Sequence, residues 1–195
     1  MMHGRSFITA LALLFSTSVM AQSPAPDVIN HQAPGSLETT QPLSCVGLAA
    51  IKSSHTPPDI FHGVVECSTQ QRTADMISMY MLANMYARFD TFRVSDKTAH
   101  QAVTVMQMGL GEQLGEEGKS HFFTALQAAV DNPATLAATC TQIRRIGPPE
   151  YHPSYMIQHG MGAFIGNQGD GLEANFDSAA IWQRLLTDYL KCGEA

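Results

Sequence analysis

Residues 148 to 171, PPEYHPSYMIQHGMGAFIGNQGDG, gather two histidines, two tyrosines, two methionines and five glycines into one stretch. Metal binding, proton transfer and partner recognition each draw on such groups. His152 and His159 stand seven apart. On a helix that is two turns, about 10 Å at 1.5 Å per residue. Two imidazoles so placed do not share one ion at bonds of about 2 Å without ligands between them. A copper site from His159 and Met156, completed by methionines across the fold, is the indirect variant. Widened to His100, His121, His152 and His159 with methionines, it becomes a copper- or zinc-handling reading. Against it, Met76, Met79, Met81 and Met85 sit among Ile77, Tyr80, Leu82 and Phe89, with Met106 and Met108 following. Methionines in such surroundings fill cores, or form adaptable grooves. No metal-ligand set is assigned.

Catalysis needs a nucleophile with a base, and the sequence holds no G-x-S-x-G elbow, no His-Glu-x-x-His pair and no phosphate-cradling glycine loop. The run RFDTFRVSDK carries Arg88, Asp90, Arg93, Asp96 and Lys97. It suits an anion, but it reads more simply as a solvated ion-pair network joining two helices. Asn167, Asp170, Glu173 and Asp177 are oxygen donors whose spacing fails the EF-hand pattern. Glu116 and Glu117 read as a solvated turn. The expectation is no catalytic residue and no cofactor.

What remains for 148 to 171 is a contact surface. Prolines stop the preceding helix, a short helix SYMIQHGMGAF follows Pro153, and a glycine-rich polar loop closes the stretch. Tyr151, His152, Tyr155, His159, Asn167 and Asp170 are the expected partner-binding residues, the tyrosines as rigid aromatic anchors. The competing reading has Tyr155, Met156 and Phe164 filling the core.

The elements that must position these residues read as helices. Thr56 with Pro57 and Pro58 opens one, in which Ile60, Val64 and Cys67 recur at helical spacing. CVGLAAIK before it makes a short helix. Residues 73 to 94 are apolar around most of a helix, which belongs at the centre of a bundle, with Asn84, Arg88 and Thr91 on a polar stripe. Ser95 caps the next helix, GLGEQLGEEGK breaks it, and SHFFTALQAAV resumes. Asn132 and Pro133 start a helix with Leu136, Cys140 and Ile143 on one face. The last helix, DSAAIWQRLLTDYLKC, aligns Trp182, Leu185, Tyr189 and Cys192. No alternating segment competes with these patterns, and no fixed-period repeat occurs. The fold class is all-α, a bundle of about six to seven helices.

Four cysteines, Cys45, Cys67, Cys140 and Cys192, form an even set with no C-x-x-C spacing. Pairing has three combinations. The inward faces of the helices favour Cys45 with Cys67 and Cys140 with Cys192.

At the N-terminus, Arg5, the apolar run Phe7 to Phe15 and the small residues near Ala21 read as a secretory signal over 1–21. The run is too short for the ~20 residues that cross a bilayer. Residues 22–42, rich in proline, read as a disordered leader, and 43–195 as one helical domain. Disulfides and the absence of a glycosylation sequon point to the bacterial periplasm. The net charge of −6, more negative once Arg5 is removed, argues against nucleic acid or anionic lipid as partner. By class, a small acidic exported helical domain with disulfides is similar to periplasmic inhibitors and immunity proteins that bind a toxin or hydrolase. A non-catalytic, protein-binding role is therefore expected, in a chain that does not span the membrane.

Overall fold

A computed structural model describes residues 32–166 and 169–193. The expected signal over 1–21, residues 22–31 of the expected leader, and Asn167 lie outside the described residues. Seven α-helices occur among those described: α1 (Pro57–Thr69), α2 (Thr73–Arg93), α3 (Ala102–Asp131), α4 (Pro133–Ile146), α5 (Ser154–Ile157), α6 (Gly162–Ile165) and α7 (Ser178–Arg184). No strand forms among them beyond one isolated bridge, Val94 with Leu172.

The helix starts follow local chemistry. The Thr56 side chain accepts from Asp59 N–H while the Asp59 carboxylate accepts from Thr56 N–H, a reciprocal cap completed by Pro57. Asn132 caps α4, and Pro133 takes its first position. α2 is the centre of the bundle: Met76, Met79, Leu82, Met85, Tyr86 and Phe89 are buried. α1 packs along it, with Ile60, Val64 and Cys67 fully enclosed. Cys45 is bonded to Cys67, and Cys140 to Cys192, with Cα separations of 4.6 and 5.7 Å. No described helix is long and apolar enough to cross a membrane.

Several elements depart from expectation. CVGLAAIK makes only a 3-10 turn, Leu48–Ala50. The glycine-rich cluster breaks α3 at one residue, Gly115 (φ 66°), and helix continues on both sides. A 3-10 turn, Lys97–Gln101, precedes α3, and its cap is Asp96 instead of Ser95, whose hydroxyl donates to Gly171 C=O. SYMIQHGMGAF splits into α5 and α6. The last helix passes into a π turn, Leu185–Tyr189, which leaves Tyr189 38% exposed while Trp182, Leu185 and Cys192 stay buried.

Residues 32–42, expected to belong to the flexible leader, are seated on the domain. Ala33 and Ser36 are buried, and Leu37 N–H donates to Tyr155 C=O. The reason is the Asp59 carboxylate, which accepts from Thr40 N–H at 2.7 Å and Gln41 N–H at 2.8 Å. A buried acid with spare lone pairs fixes a strap that composition alone marks as mobile.

Candidate functional site

The charged run at the end of α2 does not form a surface network. Asp90 is fully buried, and Arg93 is 9% exposed. Arg93 Nε donates to Asp90 Oδ1 at 2.7 Å, while the hydroxyls of Tyr151 and Tyr155 donate to Oδ2 at 2.9 and 2.8 Å. The guanidinium also lies over the rings of Tyr151 and Phe89, at 5.0 and 5.4 Å. Burial pushes the Asp90 carboxyl up, while Arg93 and both hydroxyls pull it back. Burial and the Asp90 charge push both tyrosines well above their ordinary value, so they act here as donors and not as bases.

This centre corrects two expectations. Tyr155 is 3% exposed and Tyr151 half-buried, so neither projects from the surface as a free-standing anchor. They fasten the stretch after α4 to α2. Asp90 and Arg93 are their counterparts inside the fold; of the charged residues of that run, Arg88, Asp96 and Lys97 reach the surface.

What does face outward is the loop beyond. The chain leaves the domain at Gly160 and returns at Gly171, and both positions rest on residues 94–99 or their neighbours. A Cβ at Gly160 would lie 2.3 Å from Asp96 Oδ2 and 2.8 Å from the Ala99 Cβ. Asp96 Oδ2 accepts from Gly162 N–H, and the Thr98 hydroxyl from Met161 N–H, each at 2.8 Å. At the return, Gly171 C=O accepts from Ser95 N–H, and Gly171 (φ +80°) packs against Ile157. Between these two feet, Met161, Phe164 and Ile165 are 56%, 52% and 80% exposed. Both described ends of this connection thus stand on one short segment, and three large apolar side chains near its start are in water.

The remaining expected contact residues border it. His159 is half-buried with Nδ1 3.1 Å from Ser36 Oγ, and burial lowers its pKa. His152 is exposed, its Nδ1 2.8 Å from Ser154 Oγ and its Nε2 3.2 Å from Asp170 C=O. Asp170 is exposed, and its carboxylate accepts from Leu172 N–H. Met156 is in the core, as the competing reading has it, whereas Phe164 is outside. Sequence reasoning did not single out Met161, Phe164 and Ile165, which are the exposed apolar residues of this stretch. Their signal was three large apolar groups within five positions between glycines, too short for a periodicity to orient.

The alternative ligand sets are dispersed. Met76, Met79 and Met85 are core packing. His100 Nε2 is 2.9 Å from Val94 C=O, and His121 Nε2 is 2.9 Å from Thr73 Oγ1, far along the chain from His159. Among the described residues, no three His, Cys, Asp or Glu side chains converge as a metal site would require. Glu173 pairs with Lys97, and Asp177 caps α7.

A groove of about 290 Å³ is lined by Tyr151, His152 and Tyr155 together with Gly35, Thr40 and Thr56; two more lie elsewhere. One of about 300 Å³ runs between α1, α3 and the strap, lined by Leu37, Phe61, His62 and Val105 among others. Another, about 460 Å³, is walled by small residues of α2, α3 and α4, including Ala74, Ala125 and Ala129. Neither contains the Asp90 centre. No family model, no curated protein and no solved structure matches the chain.

Proposed function

We propose that this chain is an exported, non-catalytic binding protein that presses the exposed side chains of Met161, Phe164 and Ile165 onto a toxin or hydrolase and covers that partner's active site. The observation that carries the reading is the loop itself. Large apolar side chains held in water cost free energy that a monomer gains nothing from, and grouped exposure of this kind marks interaction surfaces. Its first residues are held at the base by Asp96 and Thr98, which lowers the ordering cost of presenting Met161. The Asp90 centre supports the same function from within, by locking the segment that carries the loop.

Export to the periplasm fits the apolar stretch at residues 7–15 and the two disulfides, since cystines persist in oxidising compartments. The test is a pull-down with immobilised protein, from periplasmic extract and with the purified product of the neighbouring gene. A stoichiometric complex that blocks the partner's hydrolytic activity is expected. Finding no protein partner at micromolar concentration overturns the reading.

A further inference from the structure

Resting on that reading, we propose that Phe164 and Ile165 are inserted into a protein recess that is apolar inside and cationic at its mouth. Apolar character comes from the tip, where Ile165 at 80% is the most exposed of the large hydrophobic side chains described. Charge comes from the sequence around it. From Tyr151 to Gln183 the chain holds Asp170, Glu173 and Asp177 and not one lysine or arginine. Asp96, at the foot of the loop, adds a further carboxylate, held below the ordinary carboxylate range chiefly by its hydrogen bond from the Thr98 side chain. Lys97, next to Asp96 in sequence, is paired with Glu173 at 2.7 Å, which leaves the other acids of this group, Asp170, Asp177 and Asp96, without an ion-pair partner among the described residues.

This charge pattern decides among occupants. An anionic bilayer surface attracts Lys and Arg beside an inserting apolar group, and here the flanks are acidic. A second copy of the chain would bring the same acids to the same place, and like charges across an interface are repelled. A protein cleft rimmed by Lys or Arg meets both demands: burial of the tip and neutralisation of its border. Such a partner is also steered to the loop before contact, since the whole chain carries −6.

The experiment places a photo-cross-linking p-benzoylphenylalanine at position 164, or at 130 on α3 as control, in the full chain exported by its own cells. The adduct is identified by peptide mass spectrometry, and binding of the purified captured protein is then measured. Expected are an adduct from position 164 to a peptide beside Lys or Arg, and about tenfold weaker binding for each of Phe164→Ala and Ile165→Ala. Asp170→Lys and raised salt should each slow association several-fold. A complex that forms but cross-links only from position 130, with the two alanine variants unchanged, overturns the loop assignment and leaves the binding function standing. Adducts to lipid or to a second copy, or association indifferent to salt, overturn the cationic recess. The absence of any protein complex removes both proposals.

Discussion

The Tyr155 hydroxyl donates to Asp90 Oδ2 at 2.8 Å across 65 residues of sequence. One bond joins the central helix to the four-residue helix beneath the exposed loop. With Tyr151 on the same oxygen and Arg93 on the other, the carboxylate accepts three donors inside the core. Asp90→Ala leaves Arg93 buried without its counter-charge and should cost about 3–5 kcal/mol. Tyr155→Phe removes one charge-assisted bond and should cost about 2 kcal/mol. Urea denaturation of both variants measures the difference, and equal losses would show that the centre does not depend on the Arg93 pairing.

Gly160→Ala tests the foot of the loop. The added methyl would meet Asp96 Oδ2 at 2.3 Å, on a carboxylate that the Thr98 N–H, the Thr98 hydroxyl and the Gly162 N–H already hold in place. The expected result is a loss of about 1–3 kcal/mol from overpacking. Hydrogen exchange should quicken at Met161 and Gly162, whose N–H groups bond to this corner, while α2 amides keep their protection.

The pH profile follows from two histidines. Burial lowers both His55 and His159 from the ordinary 6.5, and His55 Nδ1 accepts from Lys52 N–H, which requires the ring nitrogen unprotonated. The unfolded chain therefore binds more protons just below 6.5 than the folded one. Their contribution is complete above 6.5 and is lost as pH falls from there toward the lower folded values. Thermal melting should be flat from about pH 7 to 8 and decline toward about pH 5. Replacing both residues with glutamine should flatten that decline.

Asp59 governs a separate, more acidic limb. Burial alone would raise its pKa, but hydrogen bonds from the Thr56 side chain and the backbone of Gln41, Thr56 and Thr40 outweigh it and hold the carboxyl below its ordinary 3.8. Stability from this group is present above 3.8 and is lost as pH falls through the folded value. Asp59→Ala should expose the amides of Thr40 and Gln41 to fast exchange and cost about 2 kcal/mol through the lost cap. Unchanged protection at those amides would show that the strap is held by other contacts.

The Cys140–Cys192 bond joins positions 52 apart in sequence and ties the chain's last turn to α4. Replacing both cysteines with serine should lower stability by about 2–4 kcal/mol, largely by freeing the unfolded chain. Guanidinium unfolding of this double variant beside the parent reads the loss directly.

How much was legible beforehand depended on whether the signal was local. Thr56 with its prolines, and Asn132 with Pro133, announced helix starts, because a cap is built from neighbours in sequence. Inward helical faces also predicted both cystine pairs, since a buried stripe limits what each sulfur can meet. Asp90 was misread because a carboxylate among arginines looks solvated until two tyrosines 61 and 65 residues away arrive over it. Asn84 misled in the same way: placed on a polar stripe, it is 2% exposed and bonded to Gln107 on α3. Within the stretch expected to form a contact surface, Tyr155 is buried and Phe164 is exposed, the reverse of the anchor reading. A four-residue helix has too few turns for a hydrophobic period, and only tertiary packing told Tyr155 from Phe164.

Both glycine feet of the loop stand on the short stretch from Val94 to Ala99 or its immediate packing partners. Met161, Phe164 and Ile165 project into water from this base, so exchanging these three side chains should leave folding almost untaxed.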